Sequence, residues 1–255
     1  MDRDVWLIVM RVTRSLNSAA PALPRATFSD SLIVRLFILL AWRDLPRSRV
    51  RDRGVLLPWL RVRRLPSISQ FNKRVNQPRF AQLLEVVRQR LMDAGVETPV
   101  LCIDGKPMPV GGHSADPDAA NGRSSAGFCR GYRLHALTDD RGGVLEYRVT
   151  AMNVQEKVPA TDLIAAAPRG RLLLADGNYD SDRLYRLADE RGVELFTPLK
   201  GFAQSARGLR LMSDARKRAM RAWREHPRTC ERLLDLRDAV ERAFANLSNF
   251  GGGLG

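Results

Sequence analysis

The chain has 255 residues and a formal net charge of +14, with a pI near 10.8. That length allows one large domain or two modest ones with a real core, and that charge excludes a protein adapted to cationic partners. Only Lys73, Lys106, Lys157, Lys200 and Lys217 among its 42 basic residues are lysine. The arginine fork matches phosphate, so the excess points to a polyanionic partner, although an arginine-biased coding sequence produces the same composition. Three distant cysteines with no CxxC pair exclude a disulfide scaffold and a zinc cage. The longest apolar stretch, residues 32–42, is interrupted by Arg35 and is too short to span a bilayer. No signal peptide is legible, so a cytoplasmic protein without a membrane partner is expected.

Residues 1–96 read as a small all-α region. Ser29 and Asp30 open an apolar helix through Trp42, and an arginine-laden connection covers 44–64. Pro66-Ser67 supplies a turn and an N-cap for a short helix through Val75. That helix carries Lys73 and Arg74, and it reads either as the DNA-contacting part of a helix-turn-helix or as a basic surface helix of a bundle. Pro78 opens an amphipathic helix with Phe80, Leu83, Leu84, Val87 and Leu91 at three- and four-residue steps, and Gly95 reads as its C-cap.

From residue 97 the texture changes. Leu101-Cys102-Ile103 and Leu172-Leu173-Leu174-Ala175 are short aliphatic runs, the pattern of buried strands, and each delivers an aspartate into a glycine: Asp104-Gly105 and Asp176-Gly177. A glycine- and serine-rich loop is expected over 111–127. Strands follow at 132–137 and 144–149, joined by a hairpin turn at 139–143. Helices are expected at 157–167, 182–191 and 229–249, and a strand at 193–198. The order is that of a mixed sheet flanked by helices, as in the ribonuclease H-like fold.

Two aspartates at adjacent strand ends repel unless a cation lies between them, and hard divalent ions prefer carboxylate oxygens. Taken singly, each Asp-Gly is also an ordinary turn. A third carboxylate is expected from a helix across the sheet. Glu241 borders the stripe Leu233, Leu236, Val240, Phe244 and Leu247; Glu231 and Asp238 compete with it, and an Arg237–Glu241 surface pair is the plain alternative. Residues 176–182 resemble a calcium loop, but Ser181 and Leu187 stand where its glycine and glutamate belong. No nucleophile elbow accompanies His113, His135 or His226, and His135 reads as a core histidine.

Five segments in this order carry a resemblance: 103–106 (Ile-Asp-Gly-Lys), 131–135 (Gly-Tyr-Arg-Leu-His), 149–154 (Val-Thr-Ala-Met-Asn-Val), 174–181, and Arg237 with 240–244 (Val-Glu-Arg-Ala-Phe). Together they resemble the DDE-type insertion-sequence transposases, whose catalytic core is ribonuclease H-like. The resemblance implies a catalytic domain over 97–255 in which Asp104, Asp176 and Glu241 form the metal-binding triad, with Mg²⁺ or Mn²⁺, two ions, as cofactor. It implies binding of double-stranded DNA at the element ends, phosphodiester cleavage by water and strand transfer by the released 3′-hydroxyl, by a homo-oligomer assembled on DNA. Arg237 and Lys106 are expected at the DNA backbone, and Lys73 and Arg74 in the N-terminal region. Leu234 and Ser248 stand where relatives often have tyrosine and lysine. The Gly-rich end suggests a shortened domain, so a catalytically inactive, DNA-binding remnant is the alternative function. A general nuclease of the same fold is a third.

Overall fold

A computed structural model describes residues 3–14, 16, 27–43, 45–60, 62–93, 98–111, 114–124, 127–199 and 212–249. The chain divides into two compact units, one essentially residues 1–96 and the other essentially 97–248.

The first unit is helical. Its main helices are α1 (Arg3–Arg14), α2 (Asp30–Trp42), a short α3 (Arg53–Leu56), α4 (Ile68–Val75) and α5 (Pro78–Asp93). Trp6, Val9 and Val12 fall three apart on α1, and they pack with Ile33, Leu36, Leu39 and Leu40 of α2, Phe71 of α4 and Phe80, Leu83 and Val87 of α5. Leu91 of the expected stripe is exposed instead. Full burial of each such side chain contributes about 1.5–3 kcal/mol. The Ser67 cap forms as a complete capping box: the Gln70 amide N–H donates to Ser67 Oγ at 3.1 Å, and the Ser67 N–H donates to Gln70 Oε1 at 3.0 Å. Gly95 lies outside the described residues.

Arg74 and Arg79 both turn inward. The first donates to Asp30 Oδ1 and, at 3.1 Å, to the Phe28 carbonyl; the second donates to Asp30 Oδ2 at 2.7 Å. Asp30 is 5% exposed. Of the two cations on α4 expected to face DNA, Arg74 therefore serves this internal ion pair, while Lys73 is exposed. An acidic residue in the first turn of an apolar helix had to find a cation once it was buried.

The second unit is a six-stranded mixed sheet with helices, the ribonuclease H-like class. Its strands are β1 (Val100–Pro109), β2 (Ala120–Ser124), β3 (Gly127–Asp139), β4 (Val144–Ala151), β5 (Leu172–Ala175) and β6 (Glu194–Phe196). Antiparallel β3 pairs with β1, β2 and β4, and β5 and β6 continue parallel beyond β1. The helices are α6 (Lys157–Ala166), α7 (Asp182–Arg191), α8 (Asp214–Glu225), α9 (Pro227–Asp235) and α10 (Asp238–Asn249). The hairpin at 139–143 forms as expected, with Asp139 Oδ1 accepting from the N–H groups of Arg141 and Gly143.

Three features differ from expectation. Strand β2 lies inside the expected 111–127 loop; its sequence Ala-Asn-Gly-Arg-Ser has no β-forming signal, and pairing with β3 imposes the strand. Gly122 makes this possible, because a Cβ there would stand 2.4 Å from the Met152 carbonyl oxygen. Helix α8 is new, and is locked to the sheet by Trp223 stacking on Phe196 at 5.6 Å and donating to the Thr197 carbonyl. The expected 229–249 helix breaks at Leu236 and Arg237 into α9 and α10, and Leu236 is exposed rather than part of the buried stripe. Among the described residues, no helix is long and apolar enough to cross a membrane.

Candidate active site

Residues of β1 alternate between two faces of the sheet. Cys102, Asp104 and Lys106 share one face, and each reaches the 236–244 segment. Cys102 Sγ lies 3.7 Å from the Leu236 carbonyl, Arg237 Nη2 donates to Asp104 Oδ2 at 3.4 Å, and Lys106 Nζ lies 3.5 Å from the Phe244 carbonyl. Burial of Val240 and Phe244 in the sheet core presses the helix against this face. The break at Leu236–Arg237 is what brings a polar residue to Asp104.

Ile103 pairs with Ala175 in the parallel β1–β5 ladder, so Asp104 and Asp176 each follow directly from a paired position on neighbouring strands. Asp104 Oδ1 also accepts from the Gly105 N–H at 2.8 Å. Asp176 caps a single 3₁₀ turn, accepting from the Asn178 N–H at 2.7 Å. Gly105 lies over His135; a Cβ there would approach His135 Nδ1 at 3.2 Å.

Burial raises the Asp104 carboxyl above its usual range, and the charges of Asp176 and Glu241 push the same way, against the Gly105 N–H and Arg237. Glu241 itself is exposed, as are Glu231 and Asp238, but it is the α10 acid whose charge reaches Asp104.

A fourth carboxylate, absent from the sequence expectations, stands on the other side. Glu156 Oε1 accepts from Arg133 Nη1 at 2.8 Å, and Asn178 Nδ2 lies 3.5 Å from Glu156 Oε2. Its carboxyl is raised by burial, opposed by Arg133 and pushed further by Asp176 and Asp104. The only signal available was an acid just after the Val149–Val154 segment. Nothing local said that the crossover would return it to the strand ends.

Among the described residues, no three carboxylate, histidine or thiol side chains converge closely enough to cage a metal ion. In charge and donor type the residues nevertheless fit one: Asp104, Asp176 and Glu156 are partly buried hard carboxylates whose charges act on one another, Arg237 and Arg133 pair with only two of them, and a divalent cation would neutralise the excess.

His135 is 1% exposed, with Nε2 3.0 Å from Thr150 Oγ1. Burial, and then the charge of Arg133, holds its ring down at about 4. Between about pH 6.5 and that value the unfolded chain binds a proton that the folded chain refuses, so stability is lost as pH falls through this window. Urea denaturation of His135→Gln at pH 7 and pH 4.5 is expected to show a smaller acid-induced loss than wild type.

The sheet and its acids define the class: a ribonuclease H-like domain with two aspartates where the β1–β5 ladder stops, Asp176 just past β5 and Asp104 within β1, which runs on beside β3 to Pro109 instead of turning at Asp104-Gly105 as expected. A family model described as Transposase DDE domain matches residues 96–254, and the chain belongs to that family. A comparison with curated proteins finds no match. Among solved structures, the chain is similar to the piggyBac transposase in a cryo-EM structure of its synaptic complex with hairpin DNA. The identity is 12% over 80% of this chain and 50% of that one, with a TM-score of 0.39. The chain thus spans about half the length of that protein.

Proposed function

We propose that this transposase-family protein binds the ends of an insertion sequence and carries out divalent-metal-dependent phosphodiester cleavage and strand transfer. Asp104, Asp176 and Glu241 hold Mg²⁺ or Mn²⁺. The observation that carries this reading is the placement of Asp104 and Asp176 just beyond paired positions of adjacent parallel strands, with the charge of Glu241 reaching Asp104. When bound, two such ions activate the attacking oxygen and stabilise the leaving one. The chain's own residues do the rest. The Gly105 N–H orients Asp104, Asn178 orients Asp176, and Arg237 beside Asp104 is placed to meet a phosphate of the DNA backbone. Lys106 reaches the same helix, and exposed Lys73 adds charge in the first unit. Arg74 is left out, because it holds Asp30. The +14 chain then binds double-stranded DNA with a strong salt dependence. The family resemblance adds that it works as a homo-oligomer assembled on that DNA.

The direct test is Mn²⁺ binding without DNA. Wild type is expected to take up one to two ions, and Asp104→Ala to lose affinity by at least about tenfold. Equal binding by the two proteins would refute the site.

A further inference from the structure

Glu156 is the residue that opens α6, yet its side chain makes no capping bond. Its backbone is already helical, so the carboxylate is left free to reach away from the helix. Both oxygens are instead turned aside, Oε1 to Arg133 and Oε2 toward the Asn178 amide. Asn178 is tied in turn to Asp176, its backbone N–H donating to Oδ1 at 2.7 Å and its Nδ2 donating to Oδ2 at 3.2 Å. A primary amide has two N–H bonds, and here its nitrogen faces one carboxylate oxygen on each side. The result is a chain of contacts, Arg133–Glu156–Asn178–Asp176. Arg133 pairs with Pro107, so it belongs to the face of the sheet opposite to Asp104 and Arg237. Asp176 is therefore gripped from one face while Asp104 is gripped from the other.

A second observation is independent of these bonds. Tyr179 is 1% exposed and its hydroxyl has no hydrogen-bond partner among the described residues. The charges of Glu156, Asp104 and Asp176 all act on that hydroxyl. A buried hydroxyl without a partner is costly to leave unsatisfied. Tyr179 ends the same 3₁₀ turn that Asp176 caps and Asn178 occupies, so this unsatisfied group stands within the segment that the link from Glu156 reaches.

We propose that Glu156 is a positioning residue of the carboxylate site: through the amide of Asn178 it sets the orientation of the Asp176 carboxylate toward a divalent cation, and Arg133 holds Glu156 for that task. An ion pair serving only the fold would need Arg133 alone; the link to Asn178 gives Glu156 its role. This inference rests on the proposed function.

The test is Mn²⁺ titration of the full chain without DNA, read by the electron paramagnetic resonance of the free ion. Glu156→Gln and Asn178→Ala are each expected to weaken binding by about tenfold or more, as partners of metal ligands do. The double variant should be no weaker than the poorer single one within about twofold, because both changes interrupt one link. Thermal unfolding reports separately on the fold. A Glu156 that serves only the fold would lower the melting temperature and leave Mn²⁺ affinity at 20–25 °C unchanged. Unchanged affinity in Glu156→Gln, or losses that multiply in the double variant, overturns the proposal. Should Glu156→Gln fail to fold, Asn178→Ala decides alone, since Asn178 is exposed. If wild type binds no Mn²⁺, or Asp104→Ala binds it equally well, the proposed function falls and this inference with it. If Asp104→Ala loses the ion while Glu156→Gln keeps it, only this inference falls.

Discussion

Under the proposed function, Asp176→Asn is expected to abolish metal-dependent cleavage of cognate DNA ends, by at least about 10³-fold, while the chain stays folded. Asparagine keeps the shape of aspartate, and its side-chain oxygen can still accept from the Asn178 N–H that closes the 3₁₀ turn. What it loses is the negative charge and the second carboxylate oxygen. A hard cation has little affinity for an amide nitrogen, and that nitrogen would face the Asn178 Nδ2, donor against donor. Circular dichroism and melting temperature separate this loss from unfolding. Cleavage that survives in Asp176→Asn would remove Asp176 from the site and with it the transposase chemistry proposed above.

The largest stability effect is expected in the first unit. Asp30→Ala should destabilise the protein by about 3 kcal/mol or more, because removing one member of a buried ion pair strands the charge of the others. The Asp30 side chain is 4% exposed and meets two arginines whose side chains are 16% and 22% exposed. Arg74 and Arg79 would then keep their positive charges, near one another and largely out of water. By contrast the Arg88–Glu85 pair sits on the surface of α5, with the Glu85 side chain 59% exposed, and Arg88→Ala should cost no more than about 0.5 kcal/mol. Urea denaturation of the three proteins at two salt concentrations is the check. A loss in Asp30→Ala no larger than in Arg88→Ala would show that Asp30 is not the anchor of this helical unit.

Much of the second unit was legible in the chain itself, and the reason is local. Short apolar runs leading into Asp-Gly bury their side chains inside a sheet; the charge of Asp176 then lies where β5 ends, and that of Asp104 lies within β1 at the point where its pairing with β5 stops. Asp104 and Asp176 were therefore placed on β1 and β5 by the same pattern that makes those strands. The Ser67–Gln70 capping box and the Asp139 hairpin are likewise decided within a few residues. The family resemblance rests on segments of this kind, whose order along the chain survives in the sheet.

What depended on the third dimension was every pairing between residues far apart. Arg74 looked like a surface cation on a basic helix, and only the packing of α2 against α4 shows that Asp30 claims it. Strand β2 has no strand-forming residues of its own and exists because β3 offers it a partner. The helix break at Leu236–Arg237 carries no glycine or proline, and it places Arg237 against Asp104 rather than along a continuous stripe. Glu156 is separated from Asp176 by a whole helix and a strand, so its approach to Asn178 is set by the crossover from β4 to β5. Hydrophobic spacing and turn chemistry act over a few residues, and they determined the elements and two of the acids. Contacts across the sheet are decided by which faces bury together, and that alone set Arg237 against Asp104 on one face and Arg133 against Glu156 on the other.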